Sequence, residues 1–460
     1  MVNDCPKLLM DSLDLIGKTP MVKVNRIDTG VCDLYLKMES LNPGGSIKDR
    51  IGLSMIIDAE EKGYLKPGGT IVEATAGNTG IGLALVAAVK GYELILVIPD
   101  KMSQEKVQHL RAMGTKIIIT RSDVNKGHPA YYQDLAKKIA QETPNAYYIN
   151  QFENSANPKA HYTTTGPEIA EQLQGKVDAI VVGVGSSGTV TGLSKYFKAH
   201  YPATEIILAD PKGSIMADFI NKGKFDQAGS WVVEGIGEDF VPDIGDFSAV
   251  SEAITVDDET SLNTARELLR KEGLLGGSSS GTLLAAAIAY CKAQTSPKNV
   301  VTFVCDTGNK YLSKMYNDFW MKDRGFIRQE QFGDLRDLLS RRYDLGEVVT
   351  LKKEDTVDMA LNNMKLYEIS QLPIMDQDKI IGIVDESDLL VALNDQQLNF
   401  NHPVSNCMTS DLKLINKEAS LSELQSLLKQ GLTAILIDQG KFLGLITPID
   451  LLNYMRKTLK

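Results

Sequence analysis

Lys48 is the residue whose position points most directly to covalent chemistry. It follows the glycine-rich run 42–47, Asn-Pro-Gly-Gly-Ser-Ile, and opens a predicted helix, where the helix macrodipole favours anions rather than cations. Positive potential and partial burial at such a place lower an amine pKa from its usual value of about 10.4. A neutral amine can condense with an aldehyde. A single surface lysine is most often only a solvated charge, but the flanking motif favours a reactive amine.

A second glycine-rich turn, residues 183–189, follows an apolar run and precedes a helical pattern. Its sequence is Gly-Val-Gly-Ser-Ser-Gly-Thr. The backbone N–H groups of such a strand-to-helix turn can converge on a phosphate. The glycine spacing also matches a dinucleotide fingerprint. The hydroxyl residues suit a single phosphate better, and no ribose-binding acid stands out about 20 residues further on.

Two more turns have the same character. The run 75–80 reads Thr-Ala-Gly-Asn-Thr-Gly and suits a substrate carboxylate, and the run 277–281 reads Gly-Ser-Ser-Ser-Gly. Ligands of open α/β sheets bind outside the carboxyl ends of the strands. Three anion-friendly turns on one sheet therefore predict one crevice.

The elements that must position these turns form an alternating pattern from about residue 15 to residue 310. Strand patterns at 35–38, 70–73, 94–98 and 116–120 are followed by helical patterns at 48–62, 79–90, 103–113 and 130–142. Further runs at 179–182, 206–208 and 300–304 are continuously apolar and β-branched, as in strands that are buried on both faces. The pattern predicts a doubly wound α/β domain with a parallel sheet.

An internal repeat follows a break in the pattern near residues 324–326. The segment 370–390 recurs as 433–452, and each copy contains two apolar strand patterns and the start of a helix. Two tandem β-β-α units of about 60 residues are predicted, each of which completes the core of the other.

Composition narrows the classes of partner. The net charge is −10 and no basic run is present, so no nucleic-acid surface is expected. No stretch approaches the roughly 20 apolar residues that span a bilayer, and no signal pattern begins the chain. A cytoplasmic protein without a membrane partner is expected. Cys5, Cys32, Cys291, Cys305 and Cys407 form no Cys-x-x-Cys pair and have no nearby histidines, which predicts reduced thiols and no metal site.

Together, these motifs resemble the cystathionine β-synthase family, within the β-family (fold type II) of pyridoxal-phosphate enzymes. The resemblance covers nearly the whole chain, and the tail resembles a tandem pair of CBS domains, a Bateman module. It implies a pyridoxal-phosphate catalytic domain over 1–325, a linker over 326–334, and CBS domains over 335–395 and 396–460. It also implies a homodimer.

The resemblance implies roles for individual residues. Lys48 forms the Schiff base with pyridoxal 5′-phosphate and is the catalytic residue. Asn78 contacts the phenolic oxygen of the cofactor, and Ser279 faces its pyridine nitrogen, where a hydroxyl leaves the ring unprotonated and favours elimination. The residues that bind the cofactor phosphate are Gly185, Ser186, Ser187, Gly188 and Thr189. The residues that hold the substrates are Thr75, Ala76, Thr79, Gln151, Glu234 and Gly235.

The implied reaction is a β-replacement in the transsulfuration route to cysteine. L-Serine loses its β-hydroxyl, and the thiolate of L-homocysteine adds to give L-cystathionine and water. Three residues depart from the family pattern. Ala76 stands where a serine is common, so carboxylate binding relies more on backbone N–H groups. Glu238 and Phe152 replace tyrosines, so two hydroxyls are absent.

The main alternative is a cysteine synthase that acts on O-acetylserine and sulfide. The pair 151–152, Gln-Phe, and the run 164–169 resemble that enzyme equally well. The sequence Lys-Asp-Arg at 48–50, the run 234–242 and the repeated tail favour the cystathionine β-synthase family. A catalytically silent nucleotide sensor and a scaffold for partner enzymes are further alternatives, and Lys48 within an intact set of motifs argues against both.

The tail also has candidate ligand residues. Thr447 and Asp450 match the ribose-binding positions of CBS-domain modules, which predicts binding of an adenosyl compound, with S-adenosylmethionine as the leading candidate. The first repeat has Asp385 where a threonine would sit, so one site is expected. Alternatively, Thr447 and Asp450 only cap the last helix, and the tail mediates dimerisation. Animal relatives add an N-terminal haem segment, but Cys5 has no histidine companion, so no haem is expected.

Overall fold

The computed structural model describes residues 8–75, 77–100, 104–121, 123–124, 127–328, 330–394 and 398–458. The chain folds into two compact units, of which the first ends at Asn317 and the second begins at Asp318. In this described part of the chain, no helix has the length and apolar character that crossing a membrane requires.

The first unit contains two β-sheets flanked by helices. Its strands are β1 (Met21–Lys23), β2 (Asp33–Lys37), β3 (Thr70–Ala74), β4 (Glu93–Pro99), β5 (Lys116–Thr120), β6 (Ala146–Tyr148), β7 (Ala179–Gly183), β8 (Glu205–Pro211), β9 (Val250–Val256) and β10 (Asn299–Phe303). Its helices are α1 (Lys48–Glu61), α2 (Asn78–Lys90), α3 (Gln104–Ala112), α4 (Tyr132–Glu142), α5 (Ala156–Ala160), α6 (Gly166–Gln172), α7 (Gly188–His200), α8 (Met216–Lys222), α9 (Asp258–Glu272) and α10 (Ser278–Lys292). A π-helical segment, His161–Thr165, joins α5 to α6.

The strand order confirms the predicted α/β class and corrects one detail. One sheet has the order β1-β2-β10-β7-β8-β9 and the other β5-β4-β3-β6, and the strands pair in parallel except β1 with β2. The prediction that the three glycine-rich turns lie on one sheet is wrong. The turn 75–80 follows β3 of the smaller sheet, and the turn 183–189 follows β7 of the larger one. Strands that follow one another in the chain often pair with each other. The strands β3, β4 and β5 do so here and form a separate sheet together with β6.

Helices α1 and α2 cross with their backbones in direct contact. A β-carbon built on Gly52 would lie 2.7 Å from the carbonyl carbon of Gly82, and one built on Gly82 would lie 2.7 Å from the carbonyl oxygen of Lys48. Neither position accepts a side chain unless a helix moves. The contact therefore fixes the separation between Lys48 and Asn78, the residues that open the two helices.

A cluster of buried charges ties α1 to α6 and to the N-terminal part of the unit. Arg50 lies 2.8 Å from Glu39 Oε2 and 2.7 Å from Glu168 Oε1, and Lys37 Nζ lies 2.7 Å from Glu168 Oε2. Burial alone would raise the pKa of Glu168, but Arg50 and Lys37 lower it to about 2. These four residues are called the buried ion cluster below.

The second unit contains α11 (Asp318–Arg324) and the two repeats. The first repeat comprises β11 (Leu351–Lys352), α12 (Val357–Tyr367), β12 (Gln371–Asp376), β13 (Lys379–Asp385) and α13 (Glu386–Asn394). The second comprises β14 (Leu414–Asn416), α14 (Leu421–Leu428), β15 (Ala434–Asp438), β16 (Lys441–Ile446) and α15 (Pro448–Thr458). The predicted β-β-α unit was incomplete, because a short strand and a helix precede it in each copy and widen each sheet to three strands.

The segment that precedes each repeat packs into the core of the other repeat. Leu335 and Leu339 precede the first repeat but pack into the core of the second. Val404 and Cys407 precede the second repeat but pack into the core of the first. Each core is therefore completed by residues that belong, by sequence position, to the other repeat.

Candidate active site

A cavity of about 1040 Å³ lies in the first unit where four helices begin. The helices α1, α2, α7 and α10 each place first-turn residues at its wall, and the N–H groups of a first helical turn have no partner within the helix. Such a cavity favours anionic ligands. The predicted site residues at its wall are Lys48, Thr75, Asn78, Thr79, Gln151, Gly185, Ser186, Ser187, Gly188, Thr189, Glu234, Gly235 and Ser279. The predicted Ala76 lies outside the described residues.

Lys48 presents an amine that has no partner in the described part of the chain. It is half-buried at the wall of the cavity. Its backbone N–H donates to Ser46 Oγ at 3.2 Å, and the preceding turn is held by a bond of 2.6 Å from the Gly44 N–H to Asp49 Oδ2. Burial lowers the pKa of Lys48, and nearby acidic groups only partly offset this effect. The site therefore favours the neutral, nucleophilic form of the amine.

The turn 183–189 forms a backbone concavity at the start of α7. Ser187 has a φ of 65°, a left-handed conformation that reverses the chain before the helix. A β-carbon on Gly188 would lie 1.8 Å from Asn157 Oδ1, so only glycine fits. Asn157 in turn donates to Ser186 Oγ at 2.9 Å. The turn is thereby shaped to bring backbone N–H groups close to a phosphate.

His161 and Asn157 support this turn from behind, and sequence reasoning missed both. His161 is buried, with Nδ1 2.9 Å from Thr165 Oγ1 and Nε2 3.2 Å from Thr189 Oγ1. Burial, together with the positive charge of Lys48, lowers the pKa of His161 well below its usual value. The ring is therefore neutral at neutral pH and fixes the Thr189 hydroxyl by a hydrogen bond. No glycine-rich motif surrounds either residue in the sequence, so nothing marked them.

The wall suited to a substrate carboxylate is built from Thr79 and Gln151. Thr79 Oγ1 donates to Gln151 Oε1 at 2.8 Å, and Thr75 Oγ1 accepts from the Gly77 N–H at 3.2 Å. Gln151 Nε2 donates to Glu73 Oε1 at 3.4 Å. Glu73 is fully buried in β3, and burial raises its pKa to about 8 despite these contacts.

The raised pKa of Glu73 predicts how stability depends on pH. Between about pH 4.5 and 8 the folded protein holds a proton on Glu73 that the unfolded chain releases, so stability falls as pH rises through this window. We expect Glu73→Gln, which stays neutral, to lose about 1 to 4 kcal/mol less stability than the wild type between pH 5 and 8. Thermal and urea unfolding at both pH values measure this difference.

Glu142→Gln is the matched control, because Glu142 lies in the same unit with its side chain 65% exposed. It should follow the wild type at both pH values. Equal losses for Glu73→Gln and the wild type would mean that Glu73 is ionised in the folded protein.

Glu234 and Gly235 form the part of the cavity wall beside the phosphate turn. Lys314 Nζ lies 2.7 Å from Glu234 Oε1, and Lys106 forms an ion pair with Oε2. Sequence reasoning missed both lysines. A β-carbon on Gly185 would lie 2.8 Å from the carbonyl oxygen of Gly235, so the absence of a side chain at Gly185 lets the two loops approach closely.

The remaining predicted positions also lie at the cavity. Ser279 is in the first turn of α10, beside Cys305, and burial raises the pKa of that thiol to about 12. The Glu238 carboxylate accepts no hydrogen bond from a described residue, and burial raises its pKa well above its usual value. Phe152 packs against Phe240 with ring centroids 5.5 Å apart.

In the tail, Thr447 and Asp450 meet at the start of α15. Asp450 Oδ2 accepts from the Thr447 N–H at 2.8 Å and from the Thr447 hydroxyl at 2.6 Å, and the Ser340 hydroxyl donates to Oδ1. In the first repeat, the Asp388 N–H donates to Asp385 Oδ1 at 2.8 Å and the Asp385 N–H to Asp388 Oδ2 at 3.0 Å. Both pairs cap a helix, and they differ at the first position, where the second repeat has the Thr447 hydroxyl and the first repeat has the Asp385 carboxylate. In the first repeat, Asp388 Oδ1 instead accepts from the hydroxyl of Thr409 at 3.2 Å.

The geometry of the cavity fits pyridoxal 5′-phosphate. An amine without a partner suits its aldehyde, the tight contact of Gly188 with Asn157 shapes a turn for its phosphate, and Asn78 and Ser279 supply polar groups for its ring. Among the described residues, no group of three or more His, Cys, Asp and Glu side chains is arranged to hold a metal ion.

Comparison with known proteins agrees with this geometry. Residues 13–306 match the family model described as pyridoxal-phosphate dependent enzyme, and residues 335–395 and 404–457 match the CBS domain. A cystathionine beta-synthase of Dictyostelium discoideum is 36% identical over 98% of this chain and 93% of that protein. One of Apis mellifera is 37% identical over 99% and 92%, and one of Saccharomyces cerevisiae is 34% identical over 96% and 97%.

Two solved structures are also similar. A hydrogen sulfide-producing enzyme from Fusobacterium nucleatum is 39% identical with a TM-score of 0.62, over 66% of this chain and all of that one. An O-ureido-L-serine synthase is 33% identical with a TM-score of 0.63, over 71% of this chain and 98% of that one. Fold and cavity thus define a pyridoxal-phosphate-dependent enzyme of fold type II. The relatives that match nearly the full length of the chain and the two CBS domains narrow this class further. The chain belongs to the cystathionine β-synthase family.

Proposed function

We propose that the protein condenses L-serine with L-homocysteine to give L-cystathionine and water. The observation that carries this proposal is the Lys48 amine, which has no described partner and lies in a cavity where four helices begin. The family relationship supports the choice of substrates, because full-length relatives carry the name of this activity.

Lys48 supplies the acid–base chemistry of the reaction. Bound pyridoxal phosphate withdraws electrons from the amino acid's Cα. With serine joined to the cofactor, the freed Lys48 Nζ would take the proton from Cα and pass it to the β-hydroxyl, which would leave as water. It would then accept the thiol proton as sulfur adds to Cβ and deliver that proton to Cα. Burial lowers the pKa of this amine, which makes the base form more abundant.

The other wall residues bind and orient. The turn from Gly185 to Thr189 holds the cofactor phosphate, Asn78 contacts the phenolic oxygen, and Ser279 faces the pyridine nitrogen. Thr75, Ala76, Thr79 and Gln151 hold the serine carboxylate together with the backbone of the first turn of α2. Glu234, which lies between two lysines, and Gly235 hold the second substrate.

A comparison of substrate pairs tests this proposal. We expect kcat/KM for serine with homocysteine to exceed that for O-acetylserine with sulfide by at least about tenfold. The structural reason is the group of charged side chains Glu234, Lys106 and Lys314 at the cavity wall. These side chains can pair with the amino and carboxylate groups of an amino-acid thiol, and sulfide has neither group. Product analysis by mass spectrometry with both pairs measures the ranking.

The Gln-Phe pair at 151–152 keeps cysteine synthase as the alternative. The reverse ranking would assign the protein to that activity. Absence of thioether or cysteine product with either pair, in protein that has bound the cofactor, would contradict both.

The second unit, in the same proposal, binds one adenosyl compound at Thr447 and Asp450, with S-adenosylmethionine as the first candidate. The hydroxyl and carboxylate at the start of α15 are 2.6 Å apart, which suits two ribose hydroxyls. In the first repeat, the carboxylate of Asp385 stands at the position of Thr447, and the hydroxyl that reaches Asp388 comes from Thr409, outside the helix start.

Calorimetric titration of the full-length protein with S-adenosylmethionine, ATP and AMP tests the tail. We expect one site, with affinity reduced about 10- to 100-fold by Asp450→Ala, because the ligand loses a hydrogen bond to a charged group. Asp388→Ala removes the matching helix cap of the first repeat and should leave binding intact. Equal weakening by both variants, or no heat with any ligand, would leave helix capping as the role of Asp450.

A homodimer is part of the proposal as well. The helices α13 and α15 expose Leu390, Val391, Ile449 and Leu452 to solvent, and apolar groups on adjacent surfaces often mark an interface. Light scattering of the purified protein measures the mass of the assembly.

A further inference from the structure

Lys310 lies behind the cavity and is buried, with 6% of its surface exposed. It belongs to a short 3₁₀ helix, Gly308–Tyr311, that follows β10. Its amine donates to Asn78 Oδ1 at 2.9 Å, to the carbonyl oxygen of Gly44 at 3.1 Å and to that of Gly45 at 3.4 Å. An ammonium group has three N–H donors, so all three are used.

The other end of the Asn78 amide is held by a carboxylate. Asn78 Nδ2 donates to Asp306 Oδ2 at 2.8 Å, and the Tyr311 hydroxyl donates to the same oxygen at 2.7 Å. Asp306 is fully buried. If the Asn78 amide were flipped, its NH₂ group would face the ammonium of Lys310 and its oxygen would face the carboxylate of Asp306. Both contacts would be unfavourable. The charges of Lys310 and Asp306 therefore select one orientation of Asn78.

In this orientation, Asn78 offers an N–H donor to the cavity while its oxygen faces Lys310. Its oxygen bonds Lys310, one N–H bonds Asp306, and the second N–H remains. Hydrogen-bonded chains polarise their members, so the ammonium on the oxygen strengthens that N–H as a donor. A group that accepts from it is stabilised in its negatively charged form.

The same ammonium also holds the turn that leads to the reactive lysine. Gly44 and Gly45 lie four and three residues before Lys48, respectively, and their carbonyl oxygens both accept from Lys310. One charge thus connects the backbone before Lys48 to the side chain of Asn78. The charged groups near Lys310 are Asp306 of its own segment, Asp49 of α1, and Lys106 and His109 of α3.

We propose that Lys310 is a positioning residue that fixes Asn78 as a donor and thereby stabilises the deprotonated phenolic oxygen of the bound cofactor. The inference rests on the proposed function, since it takes the assigned contact of Asn78 with that oxygen. Lys310 touches neither substrate nor cofactor and acts through Asn78.

The test is a pH titration of the visible absorption of the bound cofactor, together with cofactor affinity from fluorescence. Lys310→Met should move the midpoint to higher pH by about one unit or more, since the phenolate loses stabilisation, and should weaken cofactor binding at least about tenfold. Lys310→Arg keeps the charge and should restore a midpoint close to that of the wild type. Lys310→Gln keeps a neutral donor and provides the comparison if the methionine variant fails to fold.

A double-variant comparison separates positioning from a general effect of charge. In an Asn78→Ala background, Lys310→Met should leave the midpoint where Asn78→Ala alone puts it, because coupled residues are not additive. An equal shift in both backgrounds, or an unchanged midpoint in folded Lys310→Met and Lys310→Gln, would overturn the proposal. These readouts need no substrate. Wild-type protein that binds the cofactor but forms no cystathionine therefore refutes the proposed function alone.

Discussion

Lys48→Ala is expected to remove both the yellow colour of the purified protein and its turnover. The variant lacks the amine that bonds the cofactor and moves the Cα proton, and the loss of a positioned acid–base group alone costs about 10²- to 10⁴-fold in rate. Reduction with borohydride followed by peptide mass spectrometry should locate the cofactor on Lys48 in the wild type and on no lysine in the variant. Steady-state assays with serine and homocysteine measure the loss of rate.

Lys314→Ala is the matched control, because Lys314 also lines the cavity but its amine is paired with Glu234 at 2.7 Å. It should keep the colour and the borohydride-fixed link. A Lys48→Ala variant that retains the link and full turnover would show that another amine holds the cofactor.

Arg50→Met is expected to give the largest loss of stability. Arg50 is 97% shielded from solvent, and its removal leaves Glu39, which is fully buried, without its ionic partner. Breaking a buried ion pair from one side costs about 3 to 5 kcal/mol, because the remaining charge stays desolvated. Urea unfolding at neutral pH, monitored by tyrosine and tryptophan fluorescence, measures the change.

Lys62→Met provides the comparison at the C-terminal end of the same helix. Lys62 pairs with Asp58 at 2.7 Å but lies at the surface, where ion pairs contribute little. It should unfold like the wild type. The contribution of the buried ion cluster should itself fade as pH falls from about 4.5 toward about 2, because Glu168 has a folded pKa of about 2. If Arg50→Met unfolds like Lys62→Met, the cluster does not stabilise the fold.

The positions of many strands and turns could be predicted from the sequence, because short stretches of residues determine them. The apolar runs that became β7, β8 and β10 are continuous and buried on both faces, which is a property of the sequence itself. The turn before Lys48 and the turn 183–189 were visible because close backbone approach requires glycine. The cofactor-binding wall could therefore be assembled from motifs without knowledge of the packing.

The support behind that wall depends on contacts between distant parts of the chain. Arg50 meets Glu168 118 positions later, and Lys310 meets Asn78 232 positions earlier. No local pattern shows that these residues are partners, and nothing marks Lys310, since a buried lysine and a surface lysine look alike in a sequence. The division into two sheets was missed for a related reason, because contacts between distant parts of the chain decide which strands pair.

The crossing of α1 and α2 has a consequence for how distant relatives are recognised. Gly52 and Gly82 carry no functional group, yet a methyl group at either would collide with the backbone of the opposite helix. Such a collision would separate Lys48 from Asn78 while leaving both in the sequence. We therefore expect a homologue that has every reactive residue but has alanine or serine at either crossing position to be inactive, although its motifs are those of an enzyme. In surveys of genomes, these two silent positions should discriminate active members from inactive ones as sharply as the lysine does.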